Sequence, residues 1–181
     1  MLLLTGSPGV GKTTVLTKAV SILKDKGCIV GGMISREARE SGVRVGFEII
    51  DLSSEKRGWL AHVNQKTGPQ VGKYRVNLED LENIGAQAIN HAVENCEVVA
   101  IDEVGSMELF SEKFKDATRK ALESTKLVIA VVHGKAQDKL INDAKHMKES
   151  ETITVTTENR DQLSKTLTDK TIKALEKTEN S

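Results

Sequence analysis

Eight residues near the start of the chain, Gly6-Ser7-Pro8-Gly9-Val10-Gly11-Lys12-Thr13, match G-x-x-x-x-G-K-[ST] at every fixed position. The motif binds phosphate only when a strand leads into it and a helix leads out. Both flanks fit. Met1-Leu2-Leu3-Leu4 is a short apolar run suited to a buried strand. Residues 14–23 place Val15, Leu16, Ala19, Val20 and Leu23 at helical spacing. The glycines let backbone N–H groups turn toward an anion, and the positive end of the helix dipole faces it. In such a loop Lys12 reaches the outer phosphates and Thr13 ligates a magnesium ion.

The alternation of elements extends this start into an α/β domain with a largely parallel sheet. Residues 97–101, 127–132 and 153–155 read as buried parallel strands. Helical patterns separate them. One starts near Asn77, a cap with Asp80 three residues on, and carries Leu78, Leu81, Ile84, Ala88, Ile89 and Ala92. Another starts near Ser111 and carries Phe114, Ala117, Ala121 and Leu122. A shorter one spans about residues 137–148, and the last, after Thr157, carries Leu163, Leu167 and Leu175. Residues 28–63 differ. They read as strands in series at 28–35, 43–50 and 59–63, a β-meander inserted after the first helix that extends the sheet or covers one edge. Residues 64–73, with Gly68-Pro69, read as loop, and residues 177–181 as a frayed tail. A length of 181 residues fits one such domain.

The second half of the site is the strand ending Val98-Val99-Ala100-Ile101-Asp102-Glu103. In phosphate-loop enzymes a strand near the loop ends in an aspartate that holds magnesium through water, which suits Asp102. Glu103 then stands where a carboxylate accepts a proton from the attacking water. Asp102 lies 90 residues after Lys12, so at least one further parallel strand is expected between them. The nucleotide-binding set is the loop residues 6–13 with Thr14, Ile101, Asp102 and Glu103. Magnesium falls to Thr13 and Asp102, and catalysis to Lys12 and Glu103. Asn159 and Arg160, after the last strand, are placed to contact the base, with capping by Thr157 as the alternative. Arg39 and Arg44 in the meander are candidates for an arginine on the γ-phosphate, and His133, at the end of a strand, for a polar sensor of it. Trp59 and Tyr74 read as core rather than as base-stacking residues.

Composition excludes several classes. The 26 basic residues balance 26 acidic ones and aromatics are few, which argues against nucleic acid as a partner. The apolar start is too short for a signal peptide or a membrane span. Cys28 and Cys96 form no C-x-x-C pattern and read as reduced thiols of a cytoplasmic protein, not metal ligands. Nothing identifies a protein partner.

Further strings carry a resemblance. They are Arg36-Glu37-Ala38-Arg39 leading to Arg44-Val45-Gly46-Phe47, then Val71-Gly72-Lys73-Tyr74-Arg75-Val76-Asn77, and Thr157-Glu158-Asn159-Arg160-Asp161. The most specific is Asp102-Glu103-Val104-Gly105-Ser106-Met107-Glu108-Leu109-Phe110-Ser111. Over nearly its whole length the chain resembles the small thermophile nucleoside-triphosphatases, the THEP family, which includes the cancer-related nucleoside-triphosphatase. The resemblance implies a three-layer P-loop NTPase fold. It also implies magnesium-dependent hydrolysis of ATP, GTP, CTP and UTP to diphosphates, with loose base selectivity and slow turnover. Two departures are visible. Ser106 stands where the family usually has lysine, and Arg36 where it usually has the first of two glutamates. Two rival readings remain. A small nucleotide kinase would need an arginine-rich lid, and no dense arginine segment is present. A nucleotide-dependent switch would use hydrolysis as a timer.

Overall fold

Parallel strands covered on both faces must be apolar where they are covered, and residues 2–4, 98–101 and 127–132 are apolar without a break. The computed structural model describes residues 1–133, 138–147 and 149–179. Its strands are β1 (Leu2–Thr5), β2 (Val30–Glu40), β3 (Val43–Asp51), β4 (Arg57–His62), β5 (Gln70–Val71), β6 (Tyr74–Val76), β7 (Val98–Val104), β8 (Leu127–Val132) and β9 (Glu151–Thr154). They form one sheet in the order β5-β6-β4-β3-β2-β7-β8-β1-β9. The helices are α1 (Lys12–Asp25), α2 (Leu78–Asp80), α3 (Gln87–Asn95), α4 (Glu112–Glu123), α5 (Lys139–His146) and α6 (Arg160–Glu179).

Two cores lie on opposite faces. Leu4, Val98, Ala100, Ile129 and Val131 pack with Leu16, Leu23 and Leu167 of α1 and α6. Their strand neighbours Leu3, Val99, Ile101, Val128 and Ala130 pack with Ile89, Phe114 and Ile141 of α3, α4 and α5. The expected three-layer α/β/α arrangement is therefore observed. Helix α1 stops where Gly27 takes φ +88°. Its N–H reaches Lys24 O and that of Cys28 reaches Leu23 O, a Schellman end.

The meander differs from expectation. Its first strand, β2, serves both halves of the sheet. Val30–Met33 run parallel to β7 in register Val30↔Val98 to Met33↔Ile101, while Met33 to Glu40 run antiparallel to β3. This is the parallel strand expected between Lys12 and Asp102, and the meander extends the sheet from it. The antiparallel part continues past residue 63 to Val76. Residues 64–69 of the segment expected as loop carry no strand, while its end, Gln70–Val71, pairs as β5 with β6 just beyond it, and Gly72 at φ +59° turns the chain between them at Gly72-Lys73. Tyr74 is buried edge-on to Phe47, as expected of core, whereas Trp59 is only half-buried and lies against His62.

Several helix and strand boundaries shift. The helix capped by Asn77, whose side chain accepts Asp80 N–H, is α2, then a π-helical turn Leu81–Ala86, then α3. The last strand is an edge strand, largely exposed; of residues 153–155 only Val155, just past its end, is buried. The tail expected to fray is helical to Glu179. The helix expected over 137–148 is α5; its expected ends, Gln137 and Lys148, and the tail residues Asn180 and Ser181 lie outside the described residues.

Candidate active site

The loop between β1 and α1 stands at the carboxyl end of the parallel strands. Gly6, Gly9 and Gly11 take φ of +148°, +75° and +108°, a region that side-chain-bearing residues rarely enter. Gly6 is also held by proximity: a side chain there would begin 2.6 Å from Val155 O. Lys12 Nζ donates to Gly6 O and Ser7 O at 3.1 Å each, closing the ammonium over its own loop. Ser7, Pro8, Gly9, Thr13 and Thr14 are exposed.

Asp102 is fully buried in β7, two strands from β1. Thr13 Oγ1 donates to its Oδ1 at 3.1 Å. Ser35 donates to its Oδ2 twice, through N–H at 3.3 Å and Oγ at 3.2 Å. The β2–β7 ladder places Ser35 there. Burial pushes the Asp102 carboxyl up to about 6, against hydrogen bonds from Thr13 and Ser35 that hold it down. Strand β7 runs two residues beyond the acid pair's first member, so both acids lie within the strand and not after it. Ile101 is buried in the core beside Asp102. Glu103 is half-buried, and the peptide bond joining it to Asp102 is cis.

Behind the acids Glu108 is buried, with 4% exposure, and its Oε2 accepts Gly105 N–H at 3.1 Å. Burial, then the charge of Glu103, pushes its carboxyl up to about 8. Sequence reasoning gave no role to Ser35, and it named Glu108 only within the string that carries the resemblance. Ser35 carries no local signal. Glu108 does, since its neighbours Met107, Leu109 and Phe110 are apolar.

Arg160, the first residue of α6, lies on the loop: its Nη1 donates to Val10 O at 3.3 Å, and its Cδ is 3.6 Å from where a Gly11 side chain would begin. Asn159 is committed elsewhere. Its Oδ1 accepts Thr156 N–H at 2.9 Å and its Nδ2 donates to Thr154 O at 2.8 Å. Thr157 donates to Glu158, and the cap at this turn comes from Thr156, whose Oγ1 accepts Asn159 N–H at 3.3 Å. Arg39 and Arg44 both ion-pair with Glu37 on the exposed β2–β3 hairpin. His133 follows β8, its N–H donating to Val104 O. Thus Thr13, Ser35 and Asp102 converge and Arg160 joins the loop, while Arg39 and Arg44 are held on the hairpin.

A phosphate loop at the carboxyl edge of a parallel sheet, facing an acid two strands over, defines a P-loop α/β protein. The chain belongs to the NTPase family, whose sequence model matches residues 1–168. Nucleoside-triphosphatase THEP1 of Thermofilum pendens is 45% identical over 162 residues, 89% of each chain. The protein of that name from Methanosarcina acetivorans is 45% identical over 172 residues, 94% of this chain and 96% of its own. The crystal structure of THEP1 from Aquifex aeolicus superposes with a TM-score of 0.80 at 29% identity, over 92% of this chain and 96% of that one. The solution structure of a human cancer-related nucleoside triphosphatase gives 0.78 at 33% identity, over 92% and 94%.

Proposed function

We propose that the protein hydrolyses nucleoside 5′-triphosphates to diphosphates and phosphate, with magnesium, loose base selectivity and slow turnover. The observation that carries this is the convergence of Thr13 and Asp102 beside the lysine loop, with Glu103 next in the strand. Their oxygens suit magnesium, a hard cation that keeps waters and takes the rest of its ligands from phosphate. Among the described residues no cluster of three or more His, Cys, Asp and Glu holds a metal by itself. Thr13 and Asp102 would hold the ion together with the nucleotide's phosphates. Magnesium bound there would supply neutralisation of charge on the phosphate oxygens.

The chain's own groups do the remaining work. Lys12 leaves its loop carbonyls for the phosphates, and the loop N–H groups orient them in line. Glu103 accepts the proton of the attacking water. Base selectivity is loose because Asn159, the amide best suited to read a base edge, is spent on Thr154 and Thr156. Arg160 remains, and a guanidinium plane stacks on any base. Described helices include none long and apolar enough to cross a membrane. Two free thiols, Cys28 and Cys96, support a cytoplasmic location.

Glu103→Gln tests the assignment. Magnesium–NTP should bind within about threefold of wild type while single-turnover hydrolysis falls by roughly two to four orders of magnitude. Near-normal turnover would remove Glu103 as the base, and lost binding would mean that the two acids are assigned the wrong way round.

A further inference from the structure

Among the described residues, Glu108 is the one buried carboxylic acid near the site that the proposed chemistry does not use. It sits on a 3-10 turn, Glu108–Phe110, that folds back under β7. Between it and Glu103 stands Gly105. A side chain built on Gly105 would begin 3.1 Å from Glu108 Oε2 and 3.2 Å from both Cγ and Oε1 of Glu103. The two acids therefore flank one small residue, and Glu108 holds that residue by accepting its N–H.

The geometry points to Glu108 as a positioning residue: through Gly105 it seats the Glu103 carboxylate for attack of water on the γ-phosphate. This rests on Glu103 being the base. A carboxylate on a half-buried strand end has several rotamers, and only some face a water in line with the phosphate. The wall made by Gly105 and Glu108 removes those that fold back toward the core. Burial and the neighbouring acids favour the neutral form of Glu108, so the wall does not repel Glu103 as a second full charge would. Phe114, Met107 and Leu109 belong to the core around this turn, which keeps it from yielding.

The test compares Glu108→Leu, Glu108→Gln and Gly105→Ala with Glu103→Gln. It measures Kd for magnesium with a non-hydrolysable NTP, and single-turnover rates per folded site. Leucine removes the acceptor and should slow hydrolysis about a hundredfold, with Kd within about threefold, since a displacement near 1 Å costs that much. Glutamine has the same shape and still accepts Gly105 N–H, so it should keep the rate within about threefold. Gly105→Ala pushes Glu103 by a few tenths of an ångström and should cost about tenfold; it decides the matter if the leucine variant does not fold. Four results overturn the inference: a leucine variant at wild-type rate, a parallel loss of Kd and rate, a glutamine variant as slow as leucine, or Gly105→Ala at full speed. A fast Glu103→Gln enzyme instead overturns the base assignment, and the two failures are told apart by that variant alone.

Discussion

The two halves of the sheet handle charge in opposite ways. In the parallel half, Asp102 is buried among strands covered on both faces and is held by two hydroxyls and an amide, Thr13 Oγ1, Ser35 Oγ and Ser35 N–H. Its carboxyl is pushed up to about 6 because burial outweighs those bonds. In the antiparallel half, on the β2–β3 hairpin, Glu37 meets Arg39 and Arg44 in exposed ion pairs, and Arg44 also lies over the Phe47 ring. One half keeps a carboxylate unneutralised where a cation bound with phosphate gains most from it. The other neutralises its charges in water, where such pairs contribute little. Strand β2 belongs to both: its first residues pair with β7, and its last pair with β3 in the hairpin. Chemistry concentrates in the region that can hold charge out of water.

The strongest break of this contrast would come from the loop. Lys12→Ala should lower NTP hydrolysis by about three orders of magnitude or more, with melting temperature nearly unchanged, because the lysine contacts only its own loop carbonyls in this structure. Activity within a factor of about two would place the chemistry outside the parallel half.

Asp102→Asn sharpens the comparison by separating function from stability. Magnesium-dependent nucleotide affinity should fall about tenfold to a hundredfold, read by titration with and without the ion. Stability of the nucleotide-free protein should rise. Folding raises the Asp102 pKa from 3.8 to about 6, so the folded state binds that proton more tightly than the unfolded chain does. Wild-type stability therefore falls as pH rises through this window and stays lower above it. The asparagine variant escapes the loss, gaining on the order of 1–3 kcal/mol at pH 8 and nothing below the lower value. Denaturant melts at both ends of the window check the sign. Wild-type magnesium–NTP affinity should weaken below about pH 6, where the carboxyl takes a proton.

Base identity is a weaker lever. Specificity constants for ATP, GTP, CTP and UTP should lie within about two orders of magnitude of one another, since Arg160 offers a plane and Asn159 has no free edge. A preference above about a thousandfold would show a base reader elsewhere. The smallest effects should come from the hairpin. Arg39→Ala and Arg44→Ala should each change stability by less than about 0.5 kcal/mol and turnover by less than about tenfold. A loss near a thousandfold in either would make it the arginine on the γ-phosphate and erase the contrast between the halves.

Local patterns carried most of what was legible. The loop, α1 with its buried Val15, Leu16, Ala19, Val20 and Leu23, the caps at Asn77 and Ser111, and the apolar β7 and β8 all follow from short-range spacing. These features depend on neighbours in sequence, so periodicity and turn chemistry suffice. Tertiary structure alone decided the rest, because strand pairing joins residues far apart in the chain. It set β2 beside β7 and so brought Ser35 to Asp102. It turned the end of an expected loop into β5 by pairing Gln70 and Val71 with β6, which pairs in turn with β4, and it spent Asn159 on its own turn. It also put Glu108 behind Glu103: the apolar neighbours Met107, Leu109 and Phe110 mark the turn as one that packs, but only the tertiary structure brings its carboxyl to Gly105.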